Sequence, residues 1–310
     1  MRALISVFAA FCLFATIARG ELRTTQVNGE ALPPGTMVLT IDDGPYEPWQ
    51  SAPTEPPSWT IAIADFLATV KRPDANGNMR TGVPAAWFLV SCHFATEPPP
   101  AMPPPASVLC DGLRDQDEGL LDELLKLGFV VANHTHSHIP ASIFAEHTRP
   151  KRAPEWGNED LFRWDLCQTQ HMLERHSPAE HFLFRAPGLD WPEWAAEAAN
   201  RDPCLSNLEG PVGIDVGGGM QAEDGTWVNG DWDCPGKGLT PEACGDLYLN
   251  AIRGVTAQHG AIVLLHNYVI PGAYAMALIR YIIAGLDPSI QIVDIRTHPA
   301  FQGLFPDLRR

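Results

Sequence analysis

Short apolar runs that stop abruptly in polar clusters recur along the chain. Val38-Leu39-Thr40-Ile41 ends in Asp42-Asp43-Gly44-Pro45, which reads as a buried strand with two carboxylates and a turn at its tip. Residues 85–90 repeat the apolar run. Residues 129–132 run straight into Asn133-His134-Thr135-His136-Ser137-His138, and 181–184 end in Arg185-Ala186-Pro187-Gly188. The segment 227–233 reads as a strand with its loop. Residues 261–265 have the strongest strand pattern and end in His266-Asn267, and 290–295 form a last strand. Helical spacing predicts helices over 60–70 capped by Ser58, 120–127 ended by Gly128, 158–176, 191–200, 241–258 with Pro241 in the first turn, and 273–284. Residues 213–219 fit either a weak strand or a Gly-rich loop.

Strand and helix alternate roughly seven times without a long antiparallel signal, the pattern of a parallel sheet and, at that repeat number, of a closed or nearly closed barrel. Loops that follow the strands of such a barrel share one face. Asp42, Asp43, His134, His138, Arg185, Asp231 and His266 can therefore converge although they are far apart in sequence.

Composition narrows this picture. Arg2 followed by apolar residues 3–17 and Ala18-Arg19-Gly20 has the form of a cleaved export signal. The reading is a leader over 1–20, cleaved near Gly20, and a single domain over 21–310 in a secreted or periplasmic protein. The apolar stretch is short for a membrane span and none follows it, so no stable membrane anchor is expected. Formal charge is −16, and loss of Arg2 and Arg19 makes it more negative, which argues against nucleic acid as a partner. Seven cysteines include Cys12 in the leader. The other six predict disulfides: Cys92 with Cys110 across a Pro-rich excursion at 96–107, Cys234 with Cys244 across a Gly-Pro-rich one, and Cys167 with Cys204 by elimination. No Cys-x-x-Cys pair suggests a cysteine zinc site. Residues 73–78 superficially resemble a calcium loop but lack its Gly and final Glu, and read as a turn.

His134 and His138 stand four apart, which puts both imidazoles on one face if the turn after the strand is helical, with His136 directed away. Two imidazoles and one carboxylate form a ligand set that leaves room for water, as in a catalytic zinc site; Asp43 is the third ligand, and cobalt or nickel fits the same groups. Asp42 and His266 remain to move protons. Arg185 is either a surface charge or the partner that keeps a carboxylate ionised, and Asp231 either pairs with His266 or stands apart. Trp49 and Trp191 serve either as sugar-stacking platforms or as packing residues.

The ordered series Ile41-Asp42-Asp43-Gly44-Pro45, His134-Thr135-His136-Ser137-His138, Arg185-Ala186-Pro187-Gly188, Asp231-Trp232 and Leu264-Leu265-His266 resembles the motifs of the NodB-homology polysaccharide deacetylases, carbohydrate esterase family four. The resemblance implies an α/β fold, a distorted (β/α) barrel with about seven strands, and hydrolysis of acetyl groups on GlcNAc-containing glycan of chitin or peptidoglycan type. It implies Asp43, His134 and His138 as ligands of a divalent metal, Asp42 as base and His266 as acid. Arg185 would orient Asp42 and Asp231 would tune His266. Trp232 and Leu264 would wall the acetyl pocket, with the oxyanion facing the backbone N–H of Gly188, where the family often has Tyr. Ile41 stands where Phe is frequent, Asn267 follows the acid histidine where Asp is frequent, and the long gap before His134 is expected to shape substrate choice. An O-deacetylase of acetyl xylan esterase type would use the same groups. A glycan-binding relative without catalysis is the other reading, opposed by the presence of both acids and all three histidines. A metallopeptidase is opposed by the absence of His-Glu-x-x-His.

Overall fold

The computed structural model describes residues 22–45, 56–74, 76–94, 118–144, 159–222, 224–268 and 270–305. The leader 1–20, Trp49, the Pro-rich stretch 96–107 and Cys110 lie outside them. Among the described residues no helix is long and apolar enough to cross a membrane.

Among the described residues eight parallel strands organise the fold: β1 (Leu22–Val27), β2 (Thr36–Asp42), β3 (Ala85–Leu89), β4 (Val130–Asn133), β5 (Phe182–Leu183), β6 (Leu208–Val212), β7 (Ala261–His266) and β8 (Gln291–Ile292). One sheet runs β7-β2-β3-β4 with β8 against the start of β2; the other runs β1-β6-β5. Parallel bridges Asn133–Phe184 and Val216–Val263 join the two into a ring. The result is a distorted (β/α)-barrel-like fold in which isolated bridges link the two sheets and, among the described residues, no continuous ladder closes a barrel. Asp215 reinforces one junction, its Oδ2 accepting from the backbone N–H groups of Gly29 and Ile262, both at 2.7 Å.

Every residue of β2 is buried, as expected of a parallel strand covered on both faces. Its side chains alternate. Met37, Leu39 and Ile41 join the core between barrel and helices, while Val38 joins Phe88, Ala132, Val212 and Ile262 in a second core. Phe301 and Phe305, from and just after the helix Pro299–Leu304, belong to that second core. Thr40 and Asp42 share the parity of Val38, which directs the acid toward the polar end of the barrel.

The longer helices among the described residues are α1 (Trp59–Thr69), α2 (Gly119–Lys126), α3 (Glu159–His176), α4 (Glu193–Asn200), α5 (Pro241–Thr256) and α6 (Gly272–Gly285). Ser58 caps α1 through Ile61 N–H and Thr240 caps α5 through Ala243 N–H, satisfying donors that helix starts leave open. Cys167–Cys204 ties α3 to the turn Pro203–Leu205, and Cys234–Cys244 ties a loop to α5. Cys92 is disulfide-bonded.

The structure departs from the sequence pattern in two places and decides one alternative that the sequence left open. β1 and β6 are additional strands: Leu22–Val27 is polar along much of its length, and Leu208–Val212 contains Gly210 and Pro211, which normally break strands. The segment 227–233 supplies no barrel strand, because Trp227–Val228 pairs antiparallel with Met220–Gln221 in a small hairpin. Trp191 is a packing residue, buried against Phe162 and Phe184 with Nε1 donating to the carbonyl of Arg23 at 2.8 Å.

Candidate active site

At the C-terminal ends of the strands a cavity of about 360 Å³ is lined by Asp42, Asp43, His134, His138, Arg185, Gly188, Trp232, Leu264 and His266. Asp231, the remaining residue singled out from the sequence, lies buried behind His266. The convergence predicted from strand ends is thus present.

Asp43 follows β2 with φ 67°, a left-handed conformation that Asp tolerates better than most residues. The next residue is glycine, and a Cβ there would stand 2.7 Å from Oδ1 of Asn267, so that side chain would have to shift. Asp43 Oδ1 lies 3.1 Å from Nε2 of His138 and 3.3 Å from Nε2 of His134. It is buried and has no hydrogen-bond partner. Burial pushes this carboxyl up, but His138 and His134, with His266 further off, outweigh it and hold the group well below the usual carboxylate range.

The two imidazoles reach Asp43 by a route other than the expected helical turn. Thr135 and His138 both have positive φ, 66° and 55°, so the chain folds back on itself. Asn133 Oδ1 accepts from Thr135 N–H at 2.9 Å, and Thr135 Oγ1 accepts from His138 N–H at 3.0 Å. His134 Nδ1 lies 2.8 Å from the carbonyl oxygen of Arg185. A carbonyl can only accept, so Nδ1 carries a proton, which leaves Nε2, on the side of Asp43, as the nitrogen available to a cation. His136 is directed elsewhere, with Nδ1 2.8 Å from Ser91 Oγ and its ring against Trp164.

The donor set fits a divalent cation. Its three ligand atoms lie within 4.8 Å of one another, one is a buried acceptor with no hydrogen-bond donor, and one histidine is fixed in the ligating tautomer.

Asp42 has a different environment. Its Oδ1 accepts from Arg185 Nη1 at 2.7 Å, and its Oδ2 lies 3.6 Å from His134 Nε2. Arg185 is buried and held by further bonds: Nη1 also donates to Thr40 Oγ1, Nε to the carbonyl of Val212 and Nη2 to that of Gly213. The guanidinium carbon stands 4.3 Å from the Phe88 ring centre. The surface-charge reading of Arg185 is excluded by this burial.

His266 forms the opposite side. Asp231 accepts from its Nδ1 and from its backbone N–H, both at 2.6 Å. Asp231 N–H in turn donates to Tyr248 OH, whose proton goes to the carbonyl of Leu264. Burial disfavours the imidazolium, but Asp231 outweighs it and raises His266 to about 9. Nε2 is left facing the cavity, 3.9 Å from Asp43 Oδ2.

Thr40, Tyr248 and Asp165 belong to this site and were not singled out from the sequence. Thr40 was legible from its parity with Asp42. Asp165, on α3, accepts from Ser137 N–H and Oγ at 3.0 and 2.6 Å, and its backbone carbonyl accepts from His136 N–H. It pins the histidine loop from beneath; nothing in the sequence sets it apart from other polar residues of α3.

A sequence model described as Polysaccharide deacetylase matches residues 29–203, more than half of the chain. The chain belongs to the polysaccharide deacetylase family. The matched segment carries Asp42, Asp43, His134, His138 and Arg185, while Asp231 and His266 lie beyond it. A comparison with curated proteins found no match. Among solved structures the chain is similar to the Bc1960 peptidoglycan N-acetylglucosamine deacetylase, with 18% identity, 90% of this chain and 91% of that one covered, and a TM-score of 0.49. It is similar to the chitin deacetylase of the fungal pathogen Colletotrichum lindemuthianum, with 14% identity, coverage of 89% and 90%, and a TM-score of 0.48. It is also similar to a family 4 acetyl xylan esterase from Clostridium thermocellum in complex with a cobalt ion, with 18% identity, coverage of 88% and 95%, and a TM-score of 0.47.

Proposed function

We propose that this family member is a secreted, metal-dependent de-N-acetylase that releases acetate from N-acetylglucosamine units of a glycan. The observation that carries the reading is the meeting, on one cavity, of the Asp43–His134–His138 set with two separately buffered proton-handling pairs, Asp42–Arg185 and His266–Asp231.

Asp43, His134 and His138 would hold the cation, zinc being the first choice for two imidazoles and a carboxylate, with cobalt or nickel as substitutes. When bound, a divalent cation supplies Lewis acidity toward a carbonyl and lowers the pKa of water. Asp42, with Oδ1 committed to Arg185, presents Oδ2 to take a proton from attacking water. His266, oriented by Asp231, presents Nε2 to deliver a proton to the departing nitrogen, so water and amide become acetate and a free amine. The backbone N–H of Gly188 is assigned to the developing oxyanion, and Trp232 and Leu264 to the walls around the acetyl methyl group.

An amine leaves poorly unless protonated, and a buried acid pair opposite the base supports the amide as the bond cleaved. An acetyl ester engages the same groups. Residues 1–20 are assigned to an export signal, with mature protein beginning near residue 21; N-terminal mass spectrometry of the exported protein checks that boundary. The decisive assay measures acetate release from chitin oligomers, peptidoglycan and acetylated xylan. Release from the N-acetylated glycans supports the reading, release from xylan alone moves it to esters, and release from none leaves a glycan-binding protein.

A further inference from the structure

Among the described residues three large apolar side chains are exposed, Met79, Trp227 and Trp232. Two of them stand five residues apart, one lining the active-site cavity and the other bonded to a residue that lines it. Trp232 lines the cavity and is 46% exposed, while Trp227, on the small antiparallel hairpin, is 56% exposed and has no place in the chemistry described above.

Trp227 is nevertheless held in place. Its Nε1 donates to Oδ1 of Asn229 at 3.0 Å. Asn229 is itself anchored, with N–H and Nδ2 both donating to Asp233 Oδ2 at 3.1 Å, and it lines the cavity. Gly219 approaches the six-membered ring so closely that a Cβ there would stand 2.7 Å from Cζ2. Two further glycines of that loop, Gly217 and Gly218, line the cavity. Cys234–Cys244 fastens the loop after the hairpin to α5. An exposed indole, fixed on its polar edge and continuous with the cavity through Asn229, is suited to the apolar face of a ring that keeps its hydroxyl groups in water.

The geometry points to Trp227 as a stacking platform for a second pyranose ring of the substrate chain, outside the acetyl-cleaving centre. This rests on the glycan reading given above and narrows it: the preferred substrate is an oligomer or polymer, not a single sugar. The platform lies beyond the residues matched by the family, 29–203.

The test compares wild type, Trp227→Ala and Trp227→Phe on the single sugar N-acetylglucosamine and on its hexamer. Alanine is expected to raise KM for the hexamer about tenfold, or roughly 1.4 kcal/mol, with kcat near wild type and the single sugar unaffected. Phenylalanine is expected to recover most of the loss, which a merely structural role would not produce. Titration calorimetry of the hexamer in an Asp42→Asn background reads binding without turnover. Weaker binding on loss of Trp227 upholds the platform even if acetate is never released, in which case only the deacetylase reading falls. Equal hexamer binding with and without Trp227, or equal effects on the single sugar and the hexamer, overturns the platform.

Discussion

The carbonyl oxygen of Arg185 accepts the Nδ1 proton of His134 at 2.8 Å. The side chain of the same arginine holds Asp42 at 2.7 Å. One residue therefore sets the tautomer of a candidate metal ligand through its backbone and orients the candidate base through its guanidinium. These roles separate on substitution. Arg185→Met keeps the carbonyl but leaves Asp42 as a buried carboxylate without its cation, at a cost of about 3–5 kcal/mol. Elemental analysis is expected to find the metal retained, while the melting temperature and acetate release fall sharply.

Asp42 and His134 lie within 3.6 Å of one another and are expected to fail differently. Asp42→Asn keeps metal content and loses at least about 100-fold in turnover. His134→Ala loses metal and turnover together. Normal turnover in the first variant removes Asp42 as base; full metal content in the second shows that the ligand set is wrong.

Asp231 raises His266 to about 9, against the effect of burial. If the protonated imidazole is the acid, activity falls as pH rises through its pKa. Asp231→Asn removes the charge that favours the protonated form, so the alkaline limb of kcat/KM is expected to move to lower pH. An unmoved limb assigns it to another group.

Asp165 offers a stability test outside the catalytic groups. Burial pushes its carboxyl up to about 6, against the pull of the Ser137 donors, and its Oδ2 has no partner. A folded-state value above the ordinary one means that the folded protein binds the proton more tightly. Its contribution is full below the ordinary value and is lost as pH rises through about 6, by about 3 kcal/mol. Asp165→Asn retains an acceptor for Ser137 and is expected to flatten that part of the stability profile. Denaturant titrations of both proteins at several pH values provide the comparison.

The strand tips were legible because apolar runs at Val38–Ile41 and Ala261–Leu265 give way at once to groups that burial would otherwise exclude. β6 was not, because Gly210 and Pro211 mask a strand that tertiary pairing enforces on both sides. The histidine pair was found by a spacing argument whose geometry was wrong: left-handed Thr135 and His138, not a helical turn, bring the rings together. Asp165 and Tyr248 act from within helices, where one polar residue looks like another until the loop it holds is seen. Trp191 and Trp227 are alike in sequence and opposite in burial, which only packing decides.

Acetate release from N-acetylglucosamine oligomers by metal-loaded protein, before and after chelation and after readdition of zinc or cobalt, probes the assignment at its centre. Loss on chelation and recovery with metal is the expected result, with no recovery in His134→Ala. Release that persists through exhaustive chelation contradicts a metal-dependent deacetylase built on Asp43, His134 and His138.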